Sequence, residues 1–214
     1  LADLMHDMED VSPKAILLNY VNPMCTCSIG MSMSSDIPFV GLCHGIQTTL
    51  DLISGYVGVD KDEIDFLAAG INHMAWFLKL EKDGKDLYPI FRENIEKPEY
   101  YINDKARIEV CRHFGYFMTE VRATFPNTLL VPEESQLLDT YCDQPYFGGE
   151  SGIGYRYHNS VTEKFKKEDI FALESGDLEP RSIDYCSYIL EALETGKPFR
   201  LNGNVMNSEG YISN

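Results

Sequence analysis

The chain has 214 residues and a net charge of −16, with 44% hydrophobic and 24% charged residues. That length allows one large domain or parts of two, and the balance excludes disorder, collagen-like repeats and coiled coil. Eighteen Lys and Arg against 34 Asp and Glu argue against a phosphate backbone or an anionic membrane surface as partner, so neither nucleic acid nor membrane is expected. No apolar run approaches the roughly 20 residues that a bilayer span requires. Six cysteines (Cys25, Cys27, Cys43, Cys111, Cys142 and Cys186) are scattered without a disulfide framework. They predict reduced thiols and a cytoplasmic location. The chain opens on Leu1 in the middle of a helical pattern, and the expectation is an internal fragment of a longer protein.

In chain order, residues 1–10 fit an amphipathic helix with Leu1, Leu4, Met5 and Met8 on one face, broken at Ser12-Pro13. The run Ala15-Ile16-Leu17-Leu18 predicts a parallel strand buried on both faces. A second strand, Pro38-Phe39-Val40-Gly41-Leu42, ends in Cys43-His44-Gly45, and residues 46–56 read as a helix. This alternation is an α/β rhythm. Ligands in such folds bind at the carboxyl ends of the strands, where Asn19, Asn22, Cys43 and His44 fall. Asp60 and Glu63 suggest a short capped helix. Residues 65–69 and 74–80 read as strands, and Lys82-Asp83-Gly84-Lys85 is a hairpin signal. Helical patterns cover residues 102–117 and 183–193, the second stopped by Gly196 and Pro198. Between about 121 and 159 the periodicity is lost.

Cys43 and His73 each end a strand-like run in a turn-forming context. A thiolate and an imidazole suit a divalent transition metal, and two protein ligands would leave positions open for water or substrate. The plain alternative is packing for the cysteine and ordinary hydrogen bonding for the histidine. His44 could be a general acid or a surface imidazole. Asn22 before Pro23 could place an amide in the same crevice or only form a turn. Cys25-Thr26-Cys27 lacks the C-x-x-C spacing of a zinc or redox pair. No G-x-G-x-x-G or P-loop is present.

Three stretches taken together carry a resemblance. They are Asn19-Tyr20-Val21-Asn22-Pro23-Met24, Val40-Gly41-Leu42-Cys43-His44-Gly45-Ile46-Gln47, and Ala69-Gly70-Ile71-Asn72-His73-Met74-Ala75-Trp76-Phe77. Phe114-Gly115-Tyr116-Phe117-Met118-Thr119-Glu120 and Asn202-Gly203-Asn204-Val205-Met206-Asn207 extend it. The pattern resembles glycoside hydrolase family 4, in particular its α-galactosidase (melibiase) branch.

The resemblance implies an α/β fold. Residues 1–45 would be the end of a Rossmann-like NAD-binding domain without its glycine-rich loop, and residues 46–214 part of an α+β substrate domain. It implies NAD and a divalent metal, usually manganese, in a redox-assisted cleavage of a small glycoside, an exception to two-carboxylate hydrolysis. The sugar is oxidised at C3, a base removes the C2 proton, the aglycone departs from C1, water adds, and the hydride returns. By position, Cys43 and His73 match the metal ligands and His44 the residue linked to leaving-group protonation. Asn22 and Asn72 match residues lining the sugar and nicotinamide site. His after the cysteine goes with unphosphorylated sugars. An α-glucosidase or α-galacturonidase of the family is an alternative, since the Cys-His pair does not select the sugar, and an inactive remnant is another. A malate- or lactate-type dehydrogenase shares the architecture but needs neither Cys43 nor His73. A homo-oligomer is implied for the full-length protein, and the fragment alone is expected to lack activity.

One stretch departs from the pattern. The branch continues past Thr119-Glu120 to a Tyr that acts as base, and here that position is Thr128. Residues 121–159 match no family pattern, as a pair of compensating reading-frame slips would leave them. The base is unassigned, with Tyr141 and Tyr146 as nearby candidates.

Overall fold

The structure is a computed structural model that describes residues 1–101, 104–119, 163, 181, 184–206 and 212–213. The unmatched segment at 121–159, with Thr128, Tyr141 and Tyr146, lies outside the described residues, as do Cys142 and Ile183.

Helix α1 (Ala2–Val11), strand β1 (Leu17–Asn19), helix α2 (Met24–Ser34) and strand β2 (Phe39–Gly41) form a βαβ-type layer. The two strands pair in parallel, Leu17 with Phe39 through Asn19 with Gly41. Two expectations are corrected here. β1 is half-buried rather than covered on both faces, and Ile16 is 40% exposed. On α1 only Met5 is fully buried, while Leu1 and Leu4 face outward. The reason is the same for both: the cluster beneath them is small, Met5, Met31 and Ile37 with Met8, Leu17 and Phe39 at its margin.

Helix α3 (Gly45–Val57) begins where β2 ends. It stops at Gly58, whose φ of 67° is the left-handed conformation that glycine adopts without penalty. Asp60 caps the single turn Lys61–Glu63 by accepting from the Asp62 N–H, as expected. An antiparallel sheet follows: β3 (Asp65–Ile71), β4 (Met74–Lys82) and β5 (Lys85–Asp86), with β6 (Phe117–Met118) on the other side of β4. The β4–β5 turn has positive φ at both Asp83 and Gly84 (51° and 74°), the type I′ pattern that the dipeptide predicts.

Helices α4 (Tyr88–Ile95), α5 (Pro98–Tyr101) and α6 (Lys105–Phe114) pack with α3 and the inner face of this sheet. The predicted helix over 102–117 is shorter because Gly115 turns left-handed (φ 83°) and frees Phe117 to join the sheet. Phe77, Leu80, Phe91, Ile108 and Phe117 are fully buried in one cluster with Ile53. The Tyr88 hydroxyl ties it together, donating to the Phe77 carbonyl and accepting from the Phe117 N–H. Arg107 is also buried and makes a two-pronged bond to Asp104 at 2.7 and 2.6 Å. Helix α7 (Cys186–Thr195) starts later than predicted and ends, as predicted, at Gly196. Beyond it β7 (Val205–Met206) pairs with β8 (Ile212–Ser213).

Candidate metal centre and strand-end crevice

The chain between β2 and α3 carries Cys43. Its sulfur accepts the Gly45 backbone N–H at 3.4 Å, at the N-terminus of α3, an arrangement that favours negative charge on sulfur. Strand β2 is seated tightly. A Cβ at Gly41 would stand 2.4 Å from the Met24 sulfur and 3.2 Å from the Asn204 Cβ, so a larger residue would have to displace the Met24 side chain.

His73 sits in the two-residue turn between β3 and β4 with a φ of 63°. That conformation is uncommon for a residue with a side chain and costs of order 1–3 kcal/mol. An imidazole held there against backbone preference points to a use for the side chain. Gly70 makes the turn possible. Its φ is 142°, and a Cβ would come within 2.3 Å of the Met74 carbonyl oxygen.

Asn204 joins the two halves. It is buried and exchanges backbone hydrogen bonds with Gly41 at 2.8 and 3.0 Å. Its side-chain oxygen accepts the Asn72 backbone N–H at 3.2 Å. On the far wall Thr119 bonds Ala75 through both its N–H (2.8 Å) and its hydroxyl oxygen (3.2 Å).

These contacts bring Cys43, Asn72 and His73 to the wall of one cavity of about 20 Å³, with Thr119, Asn202 and Asn204. That volume suits a single water-sized occupant. The Asn72 Oδ1 is buried and has no hydrogen-bond partner among the described residues. Among the described residues no three His, Cys, Asp or Glu side chains converge, so the ionisable donors at this cavity are Cys43 and His73. Thiolate sulfur and imidazole nitrogen are donor types that suit a borderline divalent cation, and two of them would leave positions for exchangeable oxygen ligands.

The other two predicted residues lie outside the cavity wall. His44 is its sequence neighbour, half-exposed, with Nδ1 3.1 Å from an Asp184 carboxylate oxygen. Asn22 is exposed on the loop between β1 and α2.

Sequence reasoning missed Tyr185 and Asp184. The single proton of the Tyr185 hydroxyl is shared between the carbonyls of Asn202 (2.7 Å) and Cys43 (3.2 Å), and burial pushes its pKa up to about 12. No local signal marks either residue. Asn202 and Asn204 belonged to a recognised motif, but nothing in it said that they meet β2.

The profile of the family 4 glycosyl hydrolase C-terminal domain matches residues 68–214, and that of the family 4 glycosyl hydrolases residues 1–59. The chain belongs to family 4 of the glycosyl hydrolases. An α-galactosidase of Bacillus subtilis (strain 168) is 36% identical over 228 aligned residues, covering all of this chain and 49% of that protein. One of Rhizobium meliloti (strain 1021) is 33% identical, over all of this chain and 45% of its own length. The chain thus spans about half the length of the curated relatives it matches. Among solved structures, the Bacillus subtilis protein lplD superposes with a TM-score of 0.80 at 20% identity, over 99% of this chain and 54% of that one. A 6-phospho-α-glucosidase from gut microorganisms, solved with NAD and Mn2+, gives 0.69 at 18% identity, over 99% and 52%. The α/β fold is shared with both. Among the described residues no helix is long and apolar enough to cross a membrane, and the five described cysteines are not disulfide-bonded.

Proposed function

We propose that this chain is part of a family 4 α-galactosidase acting on unphosphorylated glycosides, in which Cys43 and His73 are the protein ligands of a divalent cation such as manganese. The observation that carries the reading is their convergence on one cavity, whose wall Asn72 shares. A cation held there would polarise vicinal sugar hydroxyls. Asn72 would orient that sugar. His44, beside the cavity and open to solvent, would give a proton from Nε2 to the glycosidic oxygen as that oxygen leaves with the electron pair of the C1–O bond.

NAD enters this reading only through the whole enzyme. The 214 residues contain no G-x-G-x-x-G. What this chain would offer is the nicotinamide end of the crevice, at Asn22 and the carboxyl ends of β1 and β2, with residues 1–45 belonging to the cofactor domain and 46–214 to the substrate domain. NAD supplies reversible hydride exchange. The base that removes the C2 proton is unassigned.

Titrating the chain with Mn2+, read by electron paramagnetic resonance, tests the site. One bound ion is expected, lost in Cys43→Ser and in His73→Ala. Equal binding in both variants would overturn the assignment. For the whole enzyme, faster turnover of an α-galactoside than of the matching glucoside and galacturonide is expected. The reverse order would replace the substrate.

A further inference from the structure

Two consecutive residues of one segment grip two consecutive residues of another. Tyr185, 4% exposed, holds the Cys43 carbonyl through its hydroxyl. Asp184, the residue before it, sets a carboxylate oxygen 3.1 Å from His44 Nδ1. The two segments are 140 positions apart in sequence. The same Tyr185 hydroxyl also bonds the Asn202 carbonyl, so the gripping segment is anchored to the cavity wall and not merely laid over it.

We infer that Asp184 is a positioning residue for His44. A carboxylate oxygen can only accept, so the hydrogen bond requires the imidazole proton to sit on Nδ1. That choice fixes the tautomer and the plane of the ring, and it leaves Nε2 as the nitrogen that exchanges its proton with a leaving group. The logic is that of a carboxylate orienting a catalytic imidazole in other enzymes. Here the carboxylate comes from the loop before α7 and the imidazole from the start of α3. The Tyr185 bond to the Cys43 carbonyl holds the backbone on which His44 stands. This inference rests on the role proposed for His44, but the hydrogen bond it requires can be tested without that role.

Two measurements test it. In the isolated chain, long-range 15N–1H NMR at a pH where the ring is neutral should find the His44 proton on Nδ1, with His44→Asn giving the assignment. In Asp184→Ala the proton should move predominantly to Nε2. A wild-type ring protonated on Nε2, or a tautomer unchanged by Asp184→Ala, would overturn the inference whatever the enzyme does. In the whole enzyme, Asp184→Ala should lower kcat on an alkyl galactoside about tenfold or more beyond its effect on the 4-nitrophenyl galactoside, whose leaving group needs less protonation. KM should be little changed, and Asp184→Asn, which can still accept from Nδ1, should recover part of the loss. Equal losses on both substrates would also overturn the inference. A whole enzyme without glycosidase activity would sink the proposed function instead, and the NMR result would still decide whether Asp184 orients His44.

Discussion

In the layer of α1, β1, α2 and β2, Met5, Met31 and Ile37 form a small buried cluster with half-buried neighbours at the margin, and Met24 and Val40 are buried apart from it. The antiparallel sheet with α3, α4 and α6 instead shares a single core running from Ile46 through Phe77 and Phe91 to Phe117. The first region displays Leu4, Val11, Ile16, Ile29 and Met33 to solvent, and its paired strands are three residues each. The second has a nine-residue strand at its centre. The candidate site lies on the seam between them. The thinly packed side supplies Cys43, the well-packed side supplies His73, and Asn204 bonds to both. Such a site depends on how well the weaker half is held to the stronger one.

The largest effect should come from the stronger half. Phe91→Ala is expected to cost about 3–5 kcal/mol in urea unfolding, and Met31→Ala closer to 2 kcal/mol, because its smaller surroundings can collapse around the gap. Hydrogen exchange sharpens the contrast. Met31→Ala should speed exchange in α1 and α2 while the amides of β4 stay protected. Uniform loss of protection in both variants would show that the two regions unfold as one. Next in size is Gly70→Ala. A methyl forced into positive φ against the Met74 carbonyl should cost about 1–3 kcal/mol and shift His73 enough to weaken Mn2+ binding. Wild-type affinity in that variant would separate the turn from the site.

The smallest effect is a matter of pH. Burial raises the Cys111 thiol from its ordinary value near 9 to about 11. A raised pKa means that the folded state favours the protonated form. Its contribution is therefore complete below pH 9 and is lost as the pH climbs through 11. Tyr185 follows the same sign between about 10 and 12. The thermal midpoint should fall from pH 9 upward, and Cys111→Ala should flatten the first part of that fall. An unchanged slope would mean that the thiol is not what titrates.

Much of the local structure could be read directly. Asp83-Gly84 announced a hairpin because few other dipeptides tolerate two positive φ angles, and Gly196 announced a helix end for the same stereochemical reason. Gly115, inside an unbroken helical pattern, ends its helix unannounced. The Cys43 and His73 positions were visible because a polar, turn-forming residue at the end of an apolar run stands out. The depth of β1 was misjudged because an apolar run reports what a strand could bury and not what is available to cover it. Asn22, adjacent to the right loop, is exposed and off the cavity wall, a distinction that depends on where the loop turns.

By itself, then, the sequence determined most of the longer helices and strands and the residue types able to bind a cation, since these are settled by steric and hydrogen-bonding preferences within a few residues. Helices α4 and α5 and the two-residue strands β6, β7 and β8 were not read from it. Only the tertiary structure decided that Asn204 reaches Asn72 across 132 positions and that Asp184 meets His44 across 140. Contacts so distant follow from how whole layers pack, and no local pattern encodes which polar group will stand opposite another when they do.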